Sequence, residues 1–350
     1  MANKNRTTLY VFLCLLLAVS CTPMRYVGIE TYNPASVTFP GNTKKILIVN
    51  HAAVQPEVPF ESTVRKMADG VRIAADSATM DFCRELGRKI AESPYFEDVR
   101  LYDGCFRTDQ AFFSDPELTR GEVSRFCEDH DVDAVVSLDR LSFHIRENMQ
   151  QVYGTNIAEG MDVEVSGVLR AYLPGRERPL GAVYLSDTVS PRLHPEEAFG
   201  IDLYALPDPR EVLREVAAYV AAESHVNFVP YWSADTRWYY ASSNARWKEA
   251  TAYASAEKWE QAAVLWESLY EASVSWKAKG RLASNLALYA ELAGRLTQAL
   301  HWATLAHQHF SVHLKPENPD VKMQQLYIDV LEHRIAAEKT LRTQMREVQE

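Results

Sequence analysis

The stretch Lys45-Ile46-Leu47-Ile48-Val49-Asn50 decides the fold. Four consecutive apolar residues leave no polar face, so a strand built from them needs cover on both sides. Such a strand belongs to a sheet with helices packed on it. Downstream, His51 to Gly70 is polar, holds Pro56 and Pro59, and reads as a long loop. Asp76 to Ser93 reads as a helix, because Met80, Cys83, Leu86 and Ile90 form one stripe at three- and four-residue steps. Pro94 ends it, and Phe96 to Tyr102 is a second strand candidate.

Thr119-Arg120-Gly121-Glu122 has the capping-box pattern for a helix running to about His130. Val132 to Phe143 then reads as a strand centred on Ala134-Val135-Val136. Met161 to Tyr172 alternates, with Val163, Val165, Val168 and Ala171 among polar positions. Pro174-Gly175 turns it back into Gly181 to Ser190, which predicts a hairpin. Together these elements predict an α+β or α/β domain with a mixed sheet over residues 43–225. The element order over residues 40–192 resembles small α/β domains of periplasmic envelope proteins, the amino-terminal domain of TolB and the CsgG or LpoB type. That resemblance carries over no residue motif.

Asp208-Pro209-Arg210-Glu211 is a helix start, with Asp as N-cap and Pro at the first helical position. Residues 226–241 read as an aromatic-rich linker holding Phe228, Tyr231, Trp232, Trp238, Tyr239 and Tyr240. Two readings stand for these rings, a packed seam and an exposed face for peptide or glycan.

Residues 242–350 change to Ala-rich amphipathic helices. Ala250, Tyr253, Trp259, Ala262 and Trp266 run small, aromatic, aromatic, small and aromatic. Ala287, Ala290, Leu296, Ala299 and Ala303 are the matching residues of a second unit, with Gly294 at the turn, although Ala290 and Ala303 stand where larger residues are common. This resembles tetratricopeptide repeats, in which paired helices stack as a solenoid. The offset of 37 residues (250 to 287, 262 to 299) exceeds the repeat's usual 34, and Glu257 stands where the turn glycine is usual. A last helix after Pro319 reads as a cap through Met323, Leu326, Val330 and Ile335, and residues after Leu341 read as a solvated end.

The amino terminus carries a different kind of signal. Lys4 and Arg6 precede the apolar run Leu9 to Val19, which is too short for a good bilayer span. Residues 1–20 therefore read as a signal peptide, and residues 21–42 as a tether and lead-in. Leu17-Ala18-Val19-Ser20-Cys21 resembles the bacterial lipobox, which implies cleavage before Cys21, lipid on its thiol and acylation of its new amino group. Cys21, Arg25-Tyr26-Val27-Gly28-Ile29-Glu30, the Lys45–Asn50 strand and the helical end together resemble a Bacteroidetes-type lipoprotein family. That resemblance supports the architecture and an outer-membrane lipoprotein, and it supplies no catalytic residue. Thr22-Pro23-Met24-Arg25 lacks an acidic run, which favours a periplasm-facing body over surface exposure.

The formal charge of −10 becomes two units more negative when Lys4 and Arg6 leave with the signal. This balance argues against a nucleic-acid partner. Cys83, Cys105 and Cys127 remain, at intervals unlike zinc-ligand spacing. No GxSxG, HExxH, Walker or dinucleotide motif occurs.

His307 and His309 would face opposite ways on a helix, and His301 aligns poorly with His307. Asp131 and Asp133 read as bracketing a helix-to-strand turn, Asp139 as a polar strand position, and Asp162 and Glu164 as a solvated strand edge. The expectation is thus no catalytic residue, no metal and no cofactor. It is a membrane-anchored module that binds or scaffolds a protein partner, the alternative being an accessory protein that binds or processes peptidoglycan or glycan.

Overall fold

The computed structural model describes residues 24–58, 60–61, 78–104, 107, 111–152, 156–191 and 208–346. Cys21 and Cys105 lie outside them. The fold is a mixed α+β sheet domain followed by a packed helical bundle. In chain order the first elements are β1 (Met24–Asn33), β2 (Lys45–Asn50), β3 (Phe60–Glu61), α1 (Ala78–Ala91), β4 (Asp98–Leu101), α2 (Arg120–His130), β5 (Ala134–Val152), β6 (Asn156–Tyr172), β7 (Gly181–Val189) and α3 (Pro209–Ser224). There follow β8 (Tyr231–Tyr240), α4 (Ala245–Ser255), α5 (Trp259–Ala272), α6 (Trp276–Leu292), α7 (Leu296–Ser311) and α8 (Pro319–Arg346). Two compact units result. One comprises Pro34–Tyr231 with the chain from Thr340 on, the other the chain up to Asn33 with Trp232–Lys339.

In the α/β unit the strands run β4-β2-β5-β6-β7, and β3 pairs with β5. β2 is parallel to β4 and β5, whereas β5, β6 and β7 are antiparallel in turn. The apolar run of β2 is buried on both faces. Ile46 and Ile48 lie in one core cluster with Phe82, Leu86 and Ile90 of α1, to which α3 adds Val212, Val216 and Val220. Leu47 and Val49 face Val123, Phe126 and Cys127 of α2 instead. Each such side chain contributes about 1.5–3 kcal/mol by leaving water, so a single polar substitution in β2 removes cover from one helix layer.

The helix starts follow their sequence signals. Thr119 Oγ1 accepts from the Glu122 N–H while Glu122 accepts from the Thr119 N–H, closing the capping box. Asp208 accepts from Arg210 N–H with Pro209 opening α3. Asp131, in the left-handed region at φ 49°, ends α2 and pairs with Lys45. Asp133 accepts from the N–H groups of Lys44 and Lys45 at 2.7 and 2.8 Å, fixing where β2 begins.

Three sequence expectations change in this unit. β5 extends to Val152, well past Phe143, because its later, polar residues pair with the start of β6 down to Val152↔Asn156. Apolar alternation could not flag that stretch. β6 is an inner strand between β5 and β7, so Asp162 and Glu164 have cross-strand partners: Ser190 Oγ donates to Asp162, and Arg146 pairs with Glu164 at 2.8 Å. The end of α8 is not wholly solvated. Gln344 is buried, accepting from Ala35 N–H at 3.0 Å and donating to Ala35 C=O at 2.9 Å.

The helical unit begins with two segments that carry no helix. The expected tether contains β1, and the expected aromatic linker contains β8; the two strands pair across about two hundred positions of sequence. Neither segment shows enough alternation alone to announce a partner so distant. Asn285 of α6 anchors the end of β8, its amide bonding both the N–H and the C=O of Tyr240 at 2.7 and 2.8 Å. Ala250, Ala262 and Trp266 are buried in α4 and α5, as are Ala287, Ala299 and Ala303 in α6 and α7. Small residues at these positions let the helices approach, and Trp266 fills the remaining volume.

The two turns between paired helices both require positive φ. Gly294 supplies it at 71° without a Cβ penalty, while Glu257 adopts 59° against its steric preference. On α8 the inward residues are Val321, Gln324, Tyr327 and Leu331, whereas Leu326, expected to be apolar and packed, is 60% exposed.

Candidate functional site

Two buried charge clusters stand out, one in each unit; the sequence shows neither as a cluster, with Asp139 reading only as a polar strand position. In the helical unit Glu291 is fully buried near the end of α6. Arg237 of β8 grips it with Nε at 3.2 and 3.1 Å from its two oxygens and Nη2 at 3.1 Å from Oε1. Tyr327 of α8 donates its hydroxyl to Oε2 at 2.6 Å, and Arg334 donates to Oε1. Burial, and then the Glu291 charge, push the Tyr327 hydroxyl well above its ordinary range, so it stays a donor. Trp238 packs on Tyr327 with ring centroids 5.4 Å apart.

This cluster floors a cleft of about 690 Å³ lined by Gly28, Ile29, Glu30, Ala234, Glu291, Leu292, Gly294 and Arg334. Arg334 reaches from the buried carboxylate to the cleft wall with its side chain 22% exposed. Asp235 also pairs with Arg237 at 3.6 Å, so two guanidinium groups face two carboxylates here, and Arg334 is the one that lines the cleft. Glu30 places a carboxylate on the wall. Charged donors held this way are pre-oriented for an acceptor such as a carbonyl or carboxylate.

In the α/β unit the corresponding group is Asp139, fully buried where the β5–β6 register shifts between Leu138 and Arg140. Asp139 shares its strand face with Ser137, two residues before it, and the register shift follows at Arg140. Gly167 sits opposite, where an added Cβ would come within 2.9 Å of the Arg140 carbonyl oxygen. Asp139 Oδ1 meets Ser137 Oγ at 2.5 Å and His51 Nδ1 at 3.2 Å. Oδ2 meets Arg170 Nη1 at 2.6 Å.

Arg170 continues to Asp115 at 3.1 Å. Although burial alone would lower its pKa, the hydrogen bond and charge of Asp139 raise it. Ser137 and His51 bond the same carboxylate oxygen, so the carboxylate stands between hydroxyl and imidazole. A Ser–His–Asp relay needs the imidazole in the middle. The chemistry available here is the locking of a bulge with paired charges.

The sequence-predicted aromatics do not converge on one face. Phe228 is buried in the core of the α/β unit, where Tyr231 is half-buried. Tyr239 is buried in the helical unit, with Trp259 and Trp266 at 5.8 and 6.1 Å. Trp238 is half-buried on Tyr327, and Tyr253 and Trp259 pack at the edge of the core that holds Tyr239. Trp232 is 68% exposed, its ring 4.9 Å from Tyr32. Gly294, expected as a turn residue, also lines the cleft.

His309 is joined to Tyr270 at 3.1 Å, and no group of three or more His, Cys, Asp or Glu among the described residues is placed to hold a metal ion. Cys83 and Cys127 are buried free thiols. Burial pushes both up, Cys127 to about 11.

Residues 43–240, more than half of the chain, match a domain of unknown function, DUF8603. The chain belongs to the DUF8603 family. Residues 248–333 match a second domain of unknown function, DUF6340, so the family boundary falls between β8 and the helices. No curated protein matches the chain.

Among solved structures, a PelC dodecamer from Paraburkholderia phytofirmans is 11% identical, with 58% of this chain and 99% of that chain covered at a TM-score of 0.25. Protein XCC0632 from Xanthomonas campestris is 10% identical, with 56% and 93% covered at a TM-score of 0.25. Protein CT253 from Chlamydia trachomatis is 13% identical, with 52% and 96% covered at the same score. Scores this low carry no argument about function.

Proposed function

We propose that this chain is a membrane-anchored envelope lipoprotein, held through lipid on Cys21 and facing the periplasm, that binds or scaffolds another protein. The observation that carries the binding part is the cleft floored by Glu291 and Arg334. It is concave and open, and its polar groups are fixed by a buried network, which suits a partner segment presenting a carbonyl or carboxylate to Arg334. The likeness of α4–α5 and α6–α7 to tetratricopeptide hairpins supports the same reading, since short solenoids present concave protein-binding faces. The test is a photoreactive residue at Glu30 in cells. A discrete adduct of one size, lost when Arg334→Glu is added, is expected; no adduct at Glu30 contradicts the reading.

A second reading rests on the exposed Trp232 beside Tyr32: an aromatic platform for peptidoglycan or another glycan. Retention on purified peptidoglycan that disappears in Trp232→Ala favours it, and absence of retention removes it.

A further inference from the structure

We infer that the first residues of β1, with Arg25 and Tyr26 exposed, lie against the phospholipid headgroup layer of the membrane that holds Cys21. The inference rests on the anchoring proposed above. Only Thr22 and Pro23 separate Cys21 from Met24, where β1 begins. Three residue steps span at most about 11 Å whatever their conformation. Met24 is no loose end, because it packs against the apolar core of the helical unit that contains Tyr239, Trp247 and Trp266. A lipid seated on Cys21 therefore holds that unit at the bilayer surface, with no tether long enough to let it stand away.

The chemistry of the exposed end suits that position. Tyr26 is 66% exposed on β1, and tyrosine favours the headgroup level of a bilayer, with its ring toward the acyl boundary and its hydroxyl in water. Arg25 is exposed beside it and can meet lipid phosphates. By contrast, Trp232 pairs with Tyr32, eight residues along β1 from Met24, or about 27 Å at strand spacing. The short link therefore sets the position of Arg25 and Tyr26 and leaves that of the aromatic platform unconstrained.

The experiment places a nitroxide on Tyr26→Cys in the mature, acylated, full-length protein. The protein is reconstituted in vesicles of phosphatidylethanolamine and phosphatidylglycerol, and collisions with a headgroup-attached nickel chelate are measured. Acylation is verified on the same sample from the mass of the amino-terminal peptide. The expected result is a several-fold higher collision rate than in the unacylated Cys21→Ala protein mixed with the same vesicles. It falls back when a long Gly-Ser stretch is inserted between Thr22 and Pro23. An acylated sample whose label collides no more than the unacylated control overturns this inference and leaves the anchor standing. A sample that carries no acyl group overturns both.

Discussion

Single residues show where local chemistry and local conformation agree, and where they do not. Glu257 is the clearest conflict, a side chain held at φ 59° where the second hairpin uses Gly294. Glu257→Gly is expected to raise the stability of the helical unit by about 0.5–1 kcal/mol, read as a shift in its denaturant midpoint. Cys83 and Cys127 are buried with their thiols pushed up, so native protein should resist alkylation at both and react only on unfolding, checked by peptide mass. His309 is held below the ordinary imidazole range, first by burial and then by Lys279 and His313. Its folded pKa lies below its unfolded one, so its contribution to stability is intact above about pH 6.5 and is lost as pH falls from there through the lower folded value. His309→Gln should flatten the stability profile of the helical unit between neutral and mildly acid pH, followed by denaturant midpoints at each pH.

At the scale of elements, the buried clusters join strands to helices. Glu291 ties β8 to α6 and α8 through Arg237, Tyr327 and Arg334. Removing the carboxylate leaves the buried Arg237 with only the half-exposed Asp235 at 3.6 Å, so Glu291→Ala should cost the helical unit up to about 3–5 kcal/mol, with Glu291→Gln costing less, by denaturant unfolding. Elements announced by near neighbours were legible in the sequence. The buried run of β2, the Thr119–Glu122 cap, the Asp208–Pro209 start and the β6–β7 hairpin all depend on residues close in the chain. What depends on distant pairing was not. β1 and β8 each look like irregular connectors until they are laid side by side. Asp139 looks like an ordinary strand carboxylate until His51 and Arg170 reach it from distant positions in the chain, and Glu291 and Arg334 meet only once α6 and α8 are folded. The cleft was therefore invisible in the sequence, although Gly294, one of its lining residues, had been marked as a turn.

For the whole molecule, two matched domains of unknown function divide the chain near β8, and the proposed anchor precedes β1 by two residues. The binding cleft draws Gly28, Ile29 and Glu30 from β1 itself, so on this account the same strand leads from the lipid to the site. The proposed membrane attachment depends on Cys21. Mass spectrometry of the amino-terminal peptide from the membrane fraction tests it most directly. The account predicts a mature chain that starts at Cys21 and carries diacylglycerol on the thiol. An unmodified Cys21, or a mature chain starting at another residue, contradicts it.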